Sequence, residues 1–443
     1  MRRRPPALAI AVALLAALAV GGPGPGAQTE PPSSRPLQIE PARPPLAPPA
    51  LGLSDSATAS LLTMLPGREV YSLFGHSALR VRDDAAGVDR TYNFGTFSFD
   101  QPYFVLRFLR GSLDYSLTTA PFDLLLGDYV AQERPVIEQT LDVGPDVVRA
   151  LYDRLETNAL PANRDYRYDF FWDNCSTRLL DAIDSSLVDV GRPTMALPPV
   201  DSPQTFRQLL APYLVAQPLV ETGLNLALGS PGDRAATARE ETFLPLRLAD
   251  QLDRATVGGR PLVARRDTVF WVAGAGLPAP APRWPLWAGW ALAALGLAAT
   301  AAGWRHTPTR WGRIGDVALF GVVGVVGAIV FLLWTATTHD VMGPNWNLIW
   351  AWPTHLALAV ALGRRGGAPL GPRWRLYLVA AAVVTGAAVL LWAALPQRLP
   401  LPLLPVALLL AIRLGTWALR SRTAHSETAP KRPARGRTAA AGR

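Results

Sequence analysis

Residues 164–186, RDYRYDFFWDNCSTRLLDAIDSS, contain Cys175, the only cysteine of the chain. An aromatic run leads into Asn174 and Cys175, and apolar residues then recur at helical spacing through residues 179–187. This pattern predicts a helix that begins at or near Cys175, where free backbone N–H groups and the positive end of the helix dipole favour a thiolate. A lone cysteine is more often a small buried apolar residue than a nucleophile, so its role depends on a partner elsewhere in the chain.

The charge and cysteine content exclude several classes of protein. The chain has 443 residues, of which 43 are basic and 34 acidic, with a formal net charge of +9. Much of the positive charge lies beside apolar segments and in residues 420–443, which is typical of membrane topology and argues against a nucleic-acid partner. A single cysteine excludes an intramolecular disulfide and a cysteine-rich zinc site. The five histidines form no HExxH motif, and no metal or other cofactor is predicted.

The first fifty residues are predicted to carry an export signal and a linker. Residues 1–28 combine a basic start, an apolar run and a small-residue end, which is the pattern of a signal peptide. The apolar run is short for a membrane span, which needs about 20 residues. An uncleaved anchor is the alternative, and it would leave the next domain on the same side of the membrane. Residues 29–50 are rich in proline and predict a semi-rigid linker.

Residues 51–272 have the composition of a mixed globular region, with strands first and helices later, which predicts an α+β fold. We expect a catalytic domain at residues 51–187 and a supporting periplasmic subdomain with its connection at residues 188–283. The predicted strands are residues 61–65, 78–82, 91–99, 113–118 and 268–272. The predicted helices, besides the one that begins near Cys175, are residues 103–109, 122–133 and 146–158, and residues 204–214 and 243–255 are expected to form part of the supporting subdomain.

From residue 284 the chain is strongly apolar. Five runs, each long enough to cross or nearly cross a bilayer about 30 Å thick, predict an all-α bundle of five transmembrane helices in residues 284–419. The runs are residues 284–303, 317–337, 346–362, 376–395 and 401–419. Asp316 and Arg413 lie at or near the ends of these runs, and we expect both to snorkel toward the interface.

The loop charges predict how this bundle is oriented. Arginines follow the first, third and fifth runs, whereas residues 338–345 and 396–400 carry only Arg398 as a basic residue. The positive-inside rule therefore places the basic tail, residues 420–443, in the cytoplasm and residues 51–283 on the periplasmic side of a bacterial inner membrane. The signal peptide predicts the same side independently.

His76, in the segment FGHS, is the only histidine of the exported region, and Cys175 is its only thiol. Imidazole is the side chain suited to hold a thiol as thiolate near neutral pH. Asn93 lies in the strand after His76 and is the candidate for orienting the imidazole ring, with a turn or capping asparagine as the alternative. Asn174 is interpreted as a helix cap or a structural residue beside the nucleophile, and it is also a candidate for substrate binding.

Three segments of this region, FGHSALRV, YNFGTFSF and YDFFWDNCSTRLLD, resemble the signature segments of the Lnb-type N-terminal periplasmic domain family. The resemblance covers roughly residues 51–255, and it extends to THDVMGPNWNLIWAWPTH in the apolar region, which is like a short outer loop of that family. The order of His76 before Cys175 is similar to that of circularly permuted NlpC-type, papain-like proteins. The resemblance therefore implies a permuted NlpC/papain-like fold for the periplasmic domain.

The resemblance also implies an activity. Family members with such a membrane region are lipoprotein N-acyltransferases, which move an acyl chain from a phospholipid to the amino terminus of a diacylglyceryl-cysteine lipoprotein. A membrane phospholipid would then be the acyl donor, and a lipoprotein N-terminus the acceptor. The catalytic residues would be Cys175 and His76, whereas the third position has no firm match, so the role of Asn93 rests on its place in the next strand.

The predicted outer loop carries four further candidates for substrate binding, His339, Asp340, Asn345 and Asn347. By the topology above they lie at the outer boundary of the membrane, where polar groups can orient a lipid headgroup or an incoming amine. The alternative is that they cap helix ends and stay hydrated.

Three functions are compatible with these residues. The first is a membrane-bound thiol acyltransferase that forms a Cys175 thioester and passes the acyl chain to an amine. The second is a periplasmic cysteine peptidase or amidase that uses the same two residues on cell-envelope peptides. The third is a non-catalytic membrane-anchored module in which Cys175 is buried and inert. We rank them in that order, because a soluble peptidase has no need of membrane spans beside its site.

Overall fold

The computed structural model of the protein describes residues 52–97, 107, 110–111, 113–303, 309–365, 368 and 370–427. Its contacts divide the chain into two units. Of the described residues, the first unit comprises those up to Pro282 together with Leu332–Asn345, and the second comprises those in Arg283–Phe331 and from Trp346 onward. The predicted signal peptide, the linker, and most of both the 103–109 helix and the basic tail lie outside the described residues.

An antiparallel sheet forms the framework of the first unit. Its strands are β1 (Thr58–Met64), β2 (His76–Asp83), β3 (Val88–Thr96), β4 (Asp114–Pro121), β5 (Val136–Leu141), β6 (Asp165–Arg167) and β9 (Val263–Phe270). Their order across the sheet is β6-β4-β3-β2-β1-β5-β9, and β7 (Thr256–Val257) pairs separately with β8 (Arg260–Pro261). The five predicted strands correspond to β1, β2, β3, β4 and β9, whereas β5, β6 and the two short strands β7 and β8 were not predicted.

Helices cover both faces of this sheet. In chain order they are α1 (Phe122–Ala131), α2 (Pro145–Ala159), α3 (Cys175–Asp189), α4 (Phe206–Leu214), α5 (Pro218–Ala227), α6 (Ala238–Glu241) and α7 (Pro245–Arg254). Successive residues of a strand face opposite sides, so Leu61 joins a core with α2, α3 and α7 while Leu62 joins a core with α1. The mixed strand-and-helix domain predicted from the sequence is thus present, with the Cys175 helix packed directly on the sheet.

The second unit is helical. Its helices are α8 (Trp284–Ala302), α9 (Arg310–Thr335), α10 (His355–Arg365), α11 (Pro372–Leu390) and α12 (Leu404–Glu427), the last four residues of α9 being grouped with the first unit. Among the described residues, four stretches are long and apolar enough to cross a membrane: Trp284–Ala302, Arg310–Thr335, Pro372–Leu390 and Leu401–Ser421. They correspond to the first, second, fourth and fifth predicted runs.

The third predicted run, residues 346–362, does not form a continuous spanning helix. It consists of a 3-10 turn, Trp346–Ile349, followed by a loop and then by α10, which has 11 residues. Pro353 lies in that loop. A proline lacks a backbone N–H, and the residue before it avoids the helical conformation, so the helix starts only after it. The apolar composition of the run concealed this break.

The expectation that Asp316 and Arg413 snorkel is wrong. Both side chains are buried, and the Arg413 guanidinium binds the Asp316 carboxylate through two hydrogen bonds of 2.6 Å. Arg413 also donates to Thr300 Oγ1 at 2.7 Å, and Trp417 Nε1 donates to Asp316 at 2.9 Å. These contacts join α8, α9 and α12 inside the second unit.

Candidate active site

The site is built where two neighbouring strands separate. β2 and β3 pair from Asp83–Val88 to Leu79–Tyr92, and the ladder ends there. Beyond that point His76 continues to pair with Met64 of β1, while β3 stays with β4 and shifts register between Phe94 and Thr96. A bulge of this kind bends its strand away from the neighbour. The separation leaves the start of β2 and the end of β3 facing each other without a ladder between them.

Gly95 makes the close approach of the site residues possible. Its φ is +129°, a conformation that side-chain-bearing residues rarely adopt. A Cβ on Gly95 would lie 3.1 Å from His76 Cε1 and 3.7 Å from the Cys175 Cβ. Gly95 therefore serves both the bulge and the contact between imidazole and thiol, and it was not among the predicted site residues. The glycine inside the strand-like segment YNFGTFSF is the signal that could have found it.

Cys175 is the first residue of α3, as predicted, and is partly buried. The N-cap is Asn174, whose Oδ1 accepts hydrogen bonds from the N–H groups of Ser176 at 2.8 Å and Thr177 at 3.0 Å. Thr177 Oγ1 in turn accepts from the Asn174 N–H at 2.9 Å, which completes a capping box. This cap fixes the helix start, and with it the position of the thiol at the positive end of the helix dipole.

His76 and Asn93 are in direct contact. His76 Nε2 and Asn93 Oδ1 are 2.6 Å apart, so the ring nitrogen donates and the amide oxygen accepts. Because Nε2 is used in this way, Nδ1 is the nitrogen left to act on the thiol. The structure thus brings Cys175, His76 and Asn93 together, with His76 between the thiol and the Asn93 amide.

The surroundings of the thiol favour its ionised form. Burial acts to raise the pKa of Cys175, but the charge and hydrogen bond of His76 and the smaller contributions of two serines together outweigh it, so the pKa is lowered. The backbone N–H of Ser77 and the hydroxyl of Ser176 add to this lowering. Ser77 Oγ and Ser176 Oγ are 3.2 Å apart and fully buried, which joins β2 to α3 directly behind the site. A thiol with a lowered pKa, beside an oriented imidazole, is equipped for nucleophilic attack.

The amide of Asn174 is fully engaged within the protein. Besides accepting from the helix, its Nδ2 donates to the carbonyls of Phe170 and Phe243, both at 2.8 Å, and the residue is 3% exposed. These four bonds match the capping interpretation. Substrate binding by Asn174 stays a prediction, and the contacts described here are structural.

Most of the predicted outer loop packs within the first unit. Leu332–Asn345 belongs to the first unit, where Thr338 Oγ1 donates to the Gly111 carbonyl at 3.3 Å. His339 lies so near Gly111 that a Cβ there would be 2.8 Å from His339 Cε1, and Asp340 is exposed. The loop therefore packs on the first unit, and substrate binding by His339 and Asp340 stays a prediction.

The two asparagines of this segment are buried. Asn345 donates to the carbonyls of Leu226 and Ala227, at 2.9 and 3.0 Å, and so caps the end of α5. Asn347 belongs to the second unit and is fully buried, with its Oδ1 accepting from Trp350 Nε1 at 3.2 Å. Substrate contacts by either asparagine likewise stay predictions, and the contacts described here are structural.

Comparisons with known proteins identify both halves of the chain. Residues 53–211 match the model of the Lnb N-terminal periplasmic domain, and residues 281–424 match the model of the Lnb transmembrane domain. Comparison with curated proteins and with solved structures found no match. The first match contains Cys175, His76 and Asn93, so the site described above lies inside the periplasmic domain. The chain belongs to the Lnb-type family, and it is a membrane protein with a periplasmic domain and a C-terminal transmembrane region.

Proposed function

We propose that this protein is a membrane-bound, cysteine-dependent acyltransferase that moves a fatty acyl chain from a phospholipid to an amine, the N-terminus of a diacylglyceryl-lipoprotein being the expected acceptor. The observation that carries this is the contact of a thiol of lowered pKa, Cys175, with an imidazole that Asn93 orients, in a chain that also has a transmembrane region. Membership of the Lnb-type family supports an enzyme of this kind.

In the first half-reaction the Cys175 thiolate attacks the carbonyl carbon of a phospholipid ester. A carbon–sulfur bond forms, the ester carbon–oxygen bond breaks, and the lysophospholipid alkoxide takes a proton from the His76 imidazolium. The product is a Cys175 thioester and neutral His76. Asn93 keeps the ring in the orientation that this transfer needs, through its 2.6 Å contact with Nε2.

The backbone N–H of Cys175 is the donor available to the oxyanion. Of the other N–H groups in the first turn, those of Ser176 and Thr177 donate to Asn174 Oδ1, and that of Arg178 donates to the Asn174 carbonyl at 3.1 Å. Within the described residues no acceptor binds the Cys175 N–H. A donor of this kind, fixed before the reaction, stabilises the tetrahedral intermediate without reorganisation.

In the second half-reaction the acceptor amine attacks the thioester carbonyl. Neutral His76 accepts the proton of the amine, an amide bond forms, the carbon–sulfur bond breaks, and the Cys175 thiolate is restored. Water competes with the amine, so the acceptor must be held in place and water excluded. A donor and an acceptor that both reside in the membrane satisfy this requirement for a membrane-bound enzyme.

The finer features of the architecture belong to the same proposal. His76 on a strand ahead of Cys175 on a helix N-terminus, packed on an antiparallel sheet, supports the permuted NlpC/papain-like arrangement. Loop charges support a multi-pass inner-membrane protein with a cytoplasmic tail. The five crossings include the broken third segment, in which a 3-10 turn and α10 would together cover the membrane.

The proposal is tested with full-length protein in phospholipid vesicles and a synthetic diacylglyceryl-cysteine peptide that has a free α-amine. We expect an N-acylated peptide and an equal amount of lysophospholipid, and neither with the Cys175→Ala variant. The N-acetylated twin of the peptide is the matched control and should give no product. Release of free fatty acid without N-acylation, or cleavage of a peptide amide, would instead establish the peptidase or hydrolase.

A further inference from the structure

Arg134 is a buried cation without a carboxylate partner among the described residues. The other buried arginines all form ion pairs: Arg80 with Asp89 and Glu138, Arg90 with Glu156, Arg207 with Asp233 and Arg413 with Asp316. Arg134 is 6% exposed, and its Nε donates to the Leu65 carbonyl at 3.0 Å and its Nη1 to Gln132 Oε1 at 3.3 Å, while the Tyr129 hydroxyl also interacts with the guanidinium. Its Nη2 is buried without an acceptor. Burying a charge without a counter-charge is costly, and an anion nearby would offset part of that cost.

The fold places Arg134 at the catalytic end of the sheet. Met64 of β1 pairs with His76 on one side and with Val136, the first residue of β5, on the other. At a strand spacing of about 4.8 Å, His76 and Val136 lie roughly 10 Å apart in one row. Arg134 precedes Val136 by two residues, just past the end of that row. Its bond to the Leu65 carbonyl, which follows Met64 in the chain, holds it there.

Residues 66–72 form a loop that packs tightly against Arg134. A Cβ on Gly67 would overlap the Ser72 side chain and would lie 3.2 Å from Arg134 Cδ. The guanidinium also lies 4.9 Å from the centre of the Tyr129 ring. Arg134 is thus held between α1, β1 and residues 66–72, in surroundings that screen its charge less than water does.

Few of the groups that face Cys175 are charged at neutral pH. The tyrosines Tyr115 from β4, Tyr129 from α1, and Tyr166 and Tyr168 on and beside β6 all interact with the thiol, and burial raises the pKa of each. Arg178 of α3 is bound to Asp173. Among the described residues, His76 and Arg134 are positive groups whose interaction with Cys175 favours the thiolate. Burial lowers the pKa of Arg134, and the interactions with Tyr129, Tyr71 and Cys175, named from the largest to the smallest, oppose this.

We propose that Arg134 is a positioning residue that supplies a fixed positive charge from the β5 side of the sheet and, together with His76, stabilises the thiolate of Cys175. This inference rests on the proposed role of Cys175 as nucleophile. Because Arg134 acts through the thiolate and does not touch the acyl group, its removal is expected to change the pH at which the thiol reacts.

The test is the pH dependence of iodoacetamide alkylation of Cys175, the sole cysteine, measured by mass spectrometry on the full-length protein. In Arg134→Gln we expect the midpoint to move to higher pH, the rate at pH 7 to fall roughly three- to tenfold, and the rate at high pH to be unchanged. Arg134→Lys keeps the charge and should restore most of the rate. Gln132→Glu places a carboxylate where Gln132 now accepts from Arg134, so it should produce the same shift while keeping the guanidinium and the fold.

Arg80→Gln is the matched control, because it removes a buried arginine from the same sheet and should lower thermal stability without moving the midpoint. Profiles of Arg134→Gln and Gln132→Glu that coincide with the wild-type profile would overturn the inference. If Arg134→Gln does not fold, the alkylation profile of Gln132→Glu alone tests the inference. If the alkylation profiles of the variants shift but the wild-type protein shows no acyl transfer, the role of Arg134 is supported and the acyltransferase proposal is refuted. A wild-type thiol inert at every pH would refute both.

Discussion

Gly95 faces His76 across the separation of β2 and β3, where a Cβ would lie 3.1 Å from the imidazole Cε1. Gly95→Ala should therefore displace the ring from Cys175 and lower acyl transfer by roughly 100-fold, since small misplacements of reacting groups have effects of that size. The backbone strain should also lower the free energy of unfolding by about 1–3 kcal/mol.

Gly87→Ala is the control for that strain. Gly87 lies in the turn between the same two strands, has a φ of +67°, and has no atom within 4 Å of its would-be Cβ. It should lose stability and keep activity, as read by thermal unfolding and by the vesicle assay. Normal activity in Gly95→Ala would contradict the packing role of Gly95.

Asn93 should act by orienting His76. Asn93→Ala removes the acceptor that lies 2.6 Å from Nε2, and we expect a 10- to 100-fold lower rate of acyl transfer with only a small change in thermal stability. Asn93→Asp retains an acceptor and should recover much of that loss. Asn163→Ala is the control, because Asn163 is exposed and its amide donates to the Thr157 carbonyl at 2.9 Å. Equal rates of acyl transfer for Asn93→Ala and the wild type would show that Asn93 does not orient His76 for the reaction.

Asn174 should behave as a cap and not as a substrate contact. Asn174→Ala removes the capping acceptor and leaves the carbonyls of Phe170 and Phe243 without their donor, so the free energy of unfolding should fall by about 2 kcal/mol or more. Thr205→Ala removes the corresponding cap of α4 and should have a smaller effect, about 1 kcal/mol. A variant that keeps full stability but binds lipid or peptide poorly would restore the substrate-binding interpretation.

The Asp316–Arg413 pair should stabilise the second unit. Asp316→Asn leaves Arg413 buried without its counter-charge, and this should lower thermal stability in detergent by an amount equivalent to roughly 3–5 kcal/mol. The double variant Asp316→Leu with Arg413→Met removes both charges and should recover a large part of that loss. A double variant less stable than Asp316→Asn would show that the pair contributes more than it costs to bury.

The sequence predicted the parts of this protein that depend on local pattern. Alternating and helical spacings located most strands and helices of the first unit, and the helix start at Cys175 followed from the aromatic run and the cap at Asn174. The contact of His76 with Asn93 could be anticipated because β2 and β3 are consecutive strands of a hairpin.

Features that depend on distant parts of the chain could not be found in this way. Arg134 carries no local signal, because its lack of a carboxylate partner among the described residues becomes visible only by comparison with the other buried arginines described there. Asp316 and Arg413 are separated by 97 residues, and their burial depends on how α9 and α12 pack. Hydropathy alone also concealed the break at Pro353, because composition does not reveal where a helix starts.

The most direct test of the acyltransferase proposal is the intact mass of the purified protein after incubation in phospholipid vesicles. Wild type should gain the mass of one fatty acyl chain, and hydroxylamine should remove it because a thioester is labile to that nucleophile. Cys175→Ala and His76→Ala should show no gain. The absence of an adduct on wild type with any common phospholipid, or an adduct that persists in Cys175→Ala, would contradict a Cys175 thioester.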